Sequence, residues 1–578
     1  MKIKGGINKE LAEIFNKIAD YLRSQKVEFK PHAYQRAAIS ISSLEKEVSR
    51  IYKEEGLKGL MEIPGVGENI ALKIEEYIKT GKVSDYEKIG KKIPPGVFEI
   101  AKIEGIGLKR AQILYKKLKI KDMGSLEKAA KKGLIAPLFG FGEKTEKNIL
   151  EGIAFFKTRK DKISIAEAFL IAERIKKELL SLKEVEEISE AGSLRRRKES
   201  IGDIDIIIAS KSPKKVMDFF VSLPGITKIW GKGKTKSSIQ LKEGIDVDLR
   251  VVSKENYGSA LLYFTGSKEH NIKIRKIAIS KGLKLNEYGI YKGKKRLGGK
   301  TEKEIYSILG LSYLPPELRE DKGEIEEKKI PNLLELKDIK GDLHCHSLWN
   351  GGQNKIEEIA KTAIERGYEY IGISDHTKFL KIERGLDEKQ LIEQRKEIDK
   401  INVQLKGRIT LLQGCECNIL NDGSVDIQEK ELRKLDYVIA GVHSNLKMSR
   451  DEMTKRIITA MKNPNIDIIS HPTGRLINLR EEYRIDFEKI LKIAKETGTI
   501  LEINGSPYRL DLKDIYIRRA KSIGVKMIIG SDAHEKSQTR FMEFGVFQAR
   551  RGWAEEKDII NSFSLNKFLK LLKRNNQN

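Results

Sequence analysis

The chain has 578 residues, is 39% hydrophobic and 34% charged, and carries a formal net charge of +27. That length calls for several domains, and the hydrophobic share is enough to give each a core. No apolar run reaches the roughly 18 residues of a membrane helix and no secretory leader stands at the start, so a membrane protein is not expected.

The charge is unevenly spread. Residues 1–320 hold 65 Lys and Arg against 43 Asp and Glu, while the remaining 258 hold 46 against 41. The N-terminal part therefore reads as the polyanion binder. The three cysteines, Cys345, Cys415 and Cys417, are too few for a disulfide framework and indicate a reducing, cytoplasmic setting.

From the N terminus, one motif repeats. Glu62-Ile-Pro-Gly65-Val66-Gly67 and Lys102-Ile-Glu-Gly105-Ile106-Gly107 each place a Gly-hydrophobic-Gly turn between helical stretches, and Leu138-Phe-Gly-Phe-Gly is a degenerate third copy. Glycine lets a backbone approach closely, and the helix that follows offers unpaired N–H groups to an anion. That is a device for holding phosphate backbone without reading sequence.

Next comes Gly192-Ser193-Leu-Arg-Arg196-Arg, then Gly202-Asp203-Ile-Asp205-Ile-Ile-Ile. Two aspartates two apart on a strand share a face, and buried together they call for a cation. Asp248, in Asp246-Val-Asp248-Leu-Arg, supplies a third carboxylate. Such a triad can hold two Mg²⁺ for phosphoryl transfer. Residues 321–330, rich in Glu and Lys, read as a solvated linker. The last residues from Lys573 read as frayed.

Six of the eight histidines fall in the C-terminal part: His344, His346, His376, His443, His471 and His534, with Asp342, Asp375, Glu416 and Asp532 interspersed. His344/His346 and Asp532/His534 are two apart, as strand neighbours on one face. Most of these residues close short apolar runs, among them Ile371–His376, Tyr437–His443, Ile466–His471 and Met527–Asp532; Ile500–Asn504 is another such run. Buried parallel strands have this form. Mixed imidazole and carboxylate ligands suit a transition metal. Cys415 and Cys417 are expected to pack on the strand face opposite Glu416.

This C-terminal pattern resembles the polymerase and histidinol phosphatase (PHP) family, which implies a distorted (β/α)7 barrel. Its metal site would use His344, His346, His376, Glu416, His443, His471, Asp532 and His534, with Mn²⁺ or Zn²⁺. The family usually has Ser-Asp-Gly where this chain has Asn350-Gly351-Gly352, so one expected carboxylate is missing at Gly351.

The Gly-Ser and aspartate motifs, with Gly231-Lys232-Gly-Lys234, Leu262-Tyr263-Phe264-Thr-Gly266-Ser, Asn271 and Arg275, resemble a family X DNA polymerase. The glycine-bearing repeats resemble helix-hairpin-helix motifs. The resemblance implies that Asp203, Asp205 and Asp248 bind catalytic Mg²⁺ and that Ser193, Arg196 and Gly202 contact the triphosphate. It implies that Tyr263, Phe264 and Gly266 abut the sugar, Asn271 the base and Arg275 the template. Gly65, Val66, Gly67, Gly105, Ile106, Gly107, Lys232 and Lys234 would touch DNA. Lys162 stands where an arginine often supports the triphosphate. The N-terminal part resembles the family's lyase domain, with Lys73 as candidate nucleophile beside Lys30 and Tyr34; an expected neighbouring lysine is Asn69.

The implied architecture is multidomain. It comprises α-helical helix-hairpin-helix domains (1–84 lyase-like, 85–155), an α/β nucleotidyltransferase palm (156–255), a nucleotide-selecting thumb (256–320), a linker (321–340) and the PHP domain (341–578). The expected function is gap-filling DNA synthesis in base-excision repair by a monomer acting on gapped or primed duplex with deoxynucleoside triphosphates. A 3′–5′ exonuclease, and AP-endonuclease action, would lie in the barrel. Two alternatives stay open: a phosphomonoesterase fused to a DNA-binding module, and a DNA-end binder with an inactive barrel.

Overall fold

The computed structural model describes residues 7–575, except residues 26, 28–29, 45, 64, 91, 102, 104–105, 159–161, 328 and 381–382. The chain divides into two compact units, one within residues 1–161 and a larger one over nearly all of the rest.

The first unit is helical. Its helices include Ile7–Ser24, Lys30–Ser43, Glu68–Thr80, Gly107–Leu118 and Glu143–Thr158. In Glu68–Thr80 the buried residues Ile70, Ala71, Ile74 and Tyr77 recur at helical spacing and face a common core with Phe15, Leu60 and Leu114. Each Gly-hydrophobic-Gly motif makes the same turn. Val66 N–H donates to the Ile63 carbonyl at 3.0 Å, Ile106 N–H to Ile103 at 3.0 Å, and Phe141 N–H to Leu138 at 2.9 Å. Gly65 has φ of 76°, the left-handed region that a β-carbon resists.

The second unit opens with strand Ile163–Ser164 and helix Ile165–Leu180, then a five-stranded sheet in the order Glu187–Glu190, Asp203–Ala209, Asp246–Val252, Lys236–Leu241, Ile226–Lys232. The central pair, Asp203–Ala209 and Asp246–Val252, is parallel and the other pairings are antiparallel. Alternate residues Ile204, Ile206 and Ile208 face the core, which leaves Asp203 and Asp205 on the opposite face. Helices Tyr257–Thr265 and Lys268–Ser280, a three-stranded sheet and helix Glu302–Ile308 follow, around Leu262, Ile274, Ile290 and Tyr306.

The barrel strands are all parallel. They run Gly341–Asp342, Tyr370–Ile373 and Thr410–Gln413, then Glu416–Asn418, Ile439–Gly441, Ile468–Ile469, Ile500–Asn504 and Met527–Gly530. The step between Gln413 and Glu416 interrupts what is otherwise one strand position, giving the seven positions expected. Parallel bridges Cys345–Ala533 and His376–Glu416 link the two sheets.

Two expectations are corrected. The 321–330 segment is not a solvated linker: Glu324 is fully buried and paired with His270 at 2.7 Å, and Lys322 pairs with Asp514 at 3.0 Å. Its charges find partners inside the fold, which composition alone does not disclose. Lys573 and Arg574 are not frayed either. The Lys573 ammonium donates to the Met461 carbonyl at 2.8 Å, and Arg574 pairs with buried Asp467 at 2.7 Å.

The barrel and the five-stranded sheet share one apolar cluster. Phe541, Phe544 and Phe547 of the barrel pack with Ile171, Leu194 and Ile201. Phe169 meets the rings of Phe544 and Phe547 at 6.2 and 5.9 Å. Ion pairs Arg475–Glu199 (2.7 Å) and Arg551–Glu320 (3.2 Å) flank this seam.

Two candidate metal centres and a nucleic-acid interface

At the sheet centre, Asp205 and Asp248 are Cα register partners, as are Asp203 and Asp246. Asp246 accepts from Trp230 Nε1 at 2.9 Å and from Gln240 at 3.2 Å, so its carboxylate is already engaged. Burial, then the charges of Asp203 and Asp248, push Asp205 up to about 7. Burial and Asp248 likewise raise Asp203. Carboxylates that resist ionising together are a fit for divalent cations. Gly192, at φ of 57°, makes room, since a β-carbon there would stand 2.3 Å from Asp205 Oδ2.

Around the triad, Ser193 is half-buried and Gly202 exposed, with the Lys162 stem near Gly202. Arg196 is engaged within the protein. It is buried, its Nε pairs with Glu320 at 3.0 Å and its Nη1 donates to the Thr265 carbonyl at 2.6 Å. Arg195 is likewise held by Glu302 at 2.7 Å, and Arg197 by Glu190 at 3.2 Å. The three arginines are thus paired within the fold, and Ser193 beside them is half-buried. Tyr263 and Phe264 pack edge to face at 4.9 Å, with the Arg250 guanidinium over Phe264 at 4.1 Å. Asn271 donates to the carbonyls of Tyr263 and Gly266, and Arg275 to the carbonyl of Asn271, which ties these residues into one corner. A β-carbon on Gly266 would stand 2.6 Å from Asn271 Oδ1.

The barrel centre is built on Glu416. Its Oε2 lies 2.9 Å from His376 Nδ1, 3.3 Å from His344 Nε2 and 3.8 Å from His346 Nε2. Its Oε1 lies 2.9 Å from His471 and 3.3 Å from His443. Asp532 Oδ1 stands 3.3 Å from His346 and 3.6 Å from His344. His346, His376 and His534 form a further group with ligand atoms within 4.8 Å. The histidines and Asp532 lie just beyond the C-terminal ends of their strands, where barrel sites gather, while Glu416 opens the strand Glu416–Asn418.

The donor set fits metal ions. Among the described residues, buried His344 Nε2, His346 Nε2, His376 Nδ1, His443 Nε2 and Glu416 Oε2 have no hydrogen-bond partner, and they converge on one space. Buried polar atoms are rarely left so. Burial opposes the Glu416 charge, yet His376, His344 and His443 hold its carboxyl well below the usual range. Burial brings His443 down to about 4 despite Glu416. His443 Nδ1 meets Asn418 Oδ1 at 2.8 Å, which fixes the ring.

Sequence reasoning missed Glu502 as a site residue. Its carboxylate accepts from His344 Nδ1 at 2.5 Å and from the His471 N–H at 2.7 Å, orienting two ligands. The signal was a carboxylate alternating with apolar residues in Ile500–Asn504. Asp375 stays outside the cluster: it accepts from Ser347 and from Gln394 Nε2 at 2.6 Å. Cys415 and Cys417 lie together in the apolar core, Sγ atoms 3.2 Å apart, on the face away from Glu416.

In the helical unit, Val66 and Ile106 are buried, so they peg their turns into the core and leave contact to backbone. Gly65, Gly67 and Asn69 border a cleft of about 590 Å³ with Arg36. Gly107 starts its helix, and Gly105 lies outside the described residues. Lys73 pairs with Asp85 at 2.6 Å, and the Tyr34 hydroxyl donates to the same carboxylate at 3.0 Å; Lys30 is exposed. Lys232 pairs with Asp218, while Lys234 is exposed.

Comparison with known proteins follows these parts. Residues 7–83 match a helix-hairpin-helix domain, 162–225 the DNA polymerase beta palm, 260–320 the DNA polymerase beta thumb and 342–506 the PHP domain. The chain is 36% identical over 573 residues to the DNA polymerase/3′-5′ exonuclease PolX of Bacillus subtilis (strain 168), covering 98% of this chain and 99% of that one. The chain belongs to the PolX family. Its barrel alone is also similar to a probable phosphatase of Thermoanaerobacter sp. (strain X514), 32% identical over 232 residues, 38% of this chain and 89% of that one. A probable phosphatase of Caldicellulosiruptor saccharolyticus is 32% identical over 254 residues, 42% and 98% respectively. PolX membership accounts for both centres on one chain, and its palm and PHP domains imply divalent metals. Among the described residues no helix is long and apolar enough to cross a membrane.

Proposed function

We propose that the chain is a DNA polymerase that fills short gaps during base-excision repair and carries a 3′–5′ exonuclease in its barrel. The observation that carries this reading is the pair of separate ligand clusters, Asp203/Asp205/Asp248 and the Glu416-centred histidines, on one chain related end to end to PolX. Divalent cations, Mg²⁺ at the palm and Mn²⁺ or Zn²⁺ in the barrel, supply Lewis acidity toward phosphate oxygens and toward the attacking hydroxyl or water.

The chain's own residues do the rest. Asp205 and Asp248 present their carboxylates from adjacent strands, beside Ser193 at the triphosphate end. Tyr263 and Phe264 give a rigid aromatic wall against the sugar, and Asn271 and Arg275 extend it toward the base pair. The hairpin turns hold duplex backbone through N–H groups, with Lys232 and Lys234 adding charge. In the barrel, Glu416 and Asp532 set the ligand spacing, and Arg509, 3.3 Å from Asp532, is a cation near the scissile phosphate. The working form is a monomer in the cytoplasm.

The test is a gel assay on a one-nucleotide-gapped, 5′-phosphorylated duplex with labelled primer and Mn²⁺. Filling with deoxynucleotides, and shortening without them that His344→Ala lacks, supports the reading. Absence of filling overturns it. The barrel's similarity to probable phosphatases, most of whose length it covers, favours a second reading as a phosphomonoesterase. Turnover of a phosphomonoester above DNA digestion would select it.

A further inference from the structure

Gly351 leaves a gap in the barrel wall, and a charged group from elsewhere fills it. A β-carbon built on Gly351 would stand 2.3 Å from Glu383 Oε2 and 3.6 Å from His534 Cδ2. The Glu383 carboxylate thus occupies the space that a side chain at 351 would take, on the same side of the site as His534. Among the described residues no Lys or Arg pairs with Glu383.

Among the described residues, the group His346, His376 and His534 is the one candidate ligand triplet in the barrel whose members include no carboxylate. Glu416 Oε2 stands 2.9 Å from His376 and Asp532 Oδ1 3.3 Å from His346, and a further anionic oxygen on the Gly351 side would add to the ligand shell there. Asn350 is the neighbouring alternative. Its amide leans on the His376 carbonyl at 3.4 Å, and its buried Oδ1 offers only a neutral donor.

We propose that Glu383 is a metal ligand of the barrel, completing the His346–His376–His534 site from a neighbouring loop in place of a carboxylate at position 351. The inference rests on the metal-centre reading above. Glu383 is half-buried and follows the Thr377–Leu380 turn, its N–H donating to the Leu380 carbonyl at 3.0 Å. Gly351 does not sit in left-handed backbone, so an aspartate there is conformationally allowed once Glu383 is shortened.

The test is Mn²⁺ binding to metal-stripped full-length protein, followed by electron paramagnetic resonance and by metal content after gel filtration. Wild type, Glu383→Gln and the double variant Gly351→Asp/Glu383→Ala are compared. Glu383→Gln keeps the shape and removes the charge; it should lose one Mn²⁺ equivalent or bind it at least about tenfold more weakly. The double variant should recover it. Unchanged stoichiometry and affinity in Glu383→Gln, with a loss in His534→Ala proving the assay sensitive, would overturn the role of Glu383 alone. Failure of wild type to hold Mn²⁺ or Zn²⁺ at all would overturn the metal centre itself, and this inference with it.

Discussion

Asp205 and Asp248 face each other from adjacent parallel strands, in exact Cα register, over a glycine that could bear no side chain. Burial and the neighbouring aspartates raise Asp205 from 3.8 to about 7. The folded state therefore holds this proton more tightly than the unfolded chain. Its stabilising contribution is complete below the ordinary carboxylate range and is lost as pH rises through about 7. Metal-free protein should lose stability between about pH 4 and pH 7, by on the order of a few kcal/mol. Asp205→Asn should flatten that dependence, and millimolar Mg²⁺ should rescue wild type but not the variant. Thermal unfolding in buffers with and without chelator measures it.

The two centres draw on different residues, so their activities should separate. Asp205→Ala should bring primer extension to background and leave digestion intact; His344→Ala should do the opposite. Circular dichroism establishes that both fold. Loss of both activities in a folded variant would contradict independent sites.

Glu502 touches no metal position directly but orients His344 and His471. Glu502→Gln should weaken Mn²⁺ binding about 10–100-fold and digestion with it, while extension holds. Equal metal affinity in variant and wild type would reduce Glu502 to a packing residue.

Lys73 is held by Asp85 at 2.6 Å. An amine engaged as an ammonium is not a nucleophile. Borohydride trapping on a 5′-deoxyribose-phosphate end should give little adduct with wild type and more with Asp85→Asn. Strong wild-type trapping abolished by Lys73→Ala would establish a lyase.

Asp203/Asp205 was readable because both sit on one strand, where spacing two apart puts side chains on one face. His344/His346 and Asp532/His534 were readable as short-spaced pairs closing apolar runs, though they lie just past their strands and Asp532 has φ of 55°. What stayed hidden came from loops and from long-range pairing. Glu383 lies in no motif, and only the gap at Gly351 gives it meaning. Arg196 was expected at the triphosphate, yet Glu320, more than 100 residues away, pairs with it, as Glu302 and Glu190 do with Arg195 and Arg197. The buried Glu324 misled in the same way: a charge run looks solvated until its partner, His270, is known.

Phe547 closes the seam between barrel and sheet, with Arg197 stacked on it at 4.4 Å. Phe547→Ala should cost about 3–5 kcal/mol and lower the melting temperature of polymerase and barrel together. A melting temperature unchanged within error would mean the seam bears no load.

That seam also governs how such a protein can be inherited or dissected. Cutting the gene between residues 320 and 341 would strand Phe541, Phe544 and Phe547 on one fragment and leave Phe169 and Leu194 bare on the other. Neither product would be a finished surface. Recombination that discards the nuclease must therefore repaint the sheet it leaves behind, and a lineage that loses barrel chemistry has reason to keep the barrel as a wall.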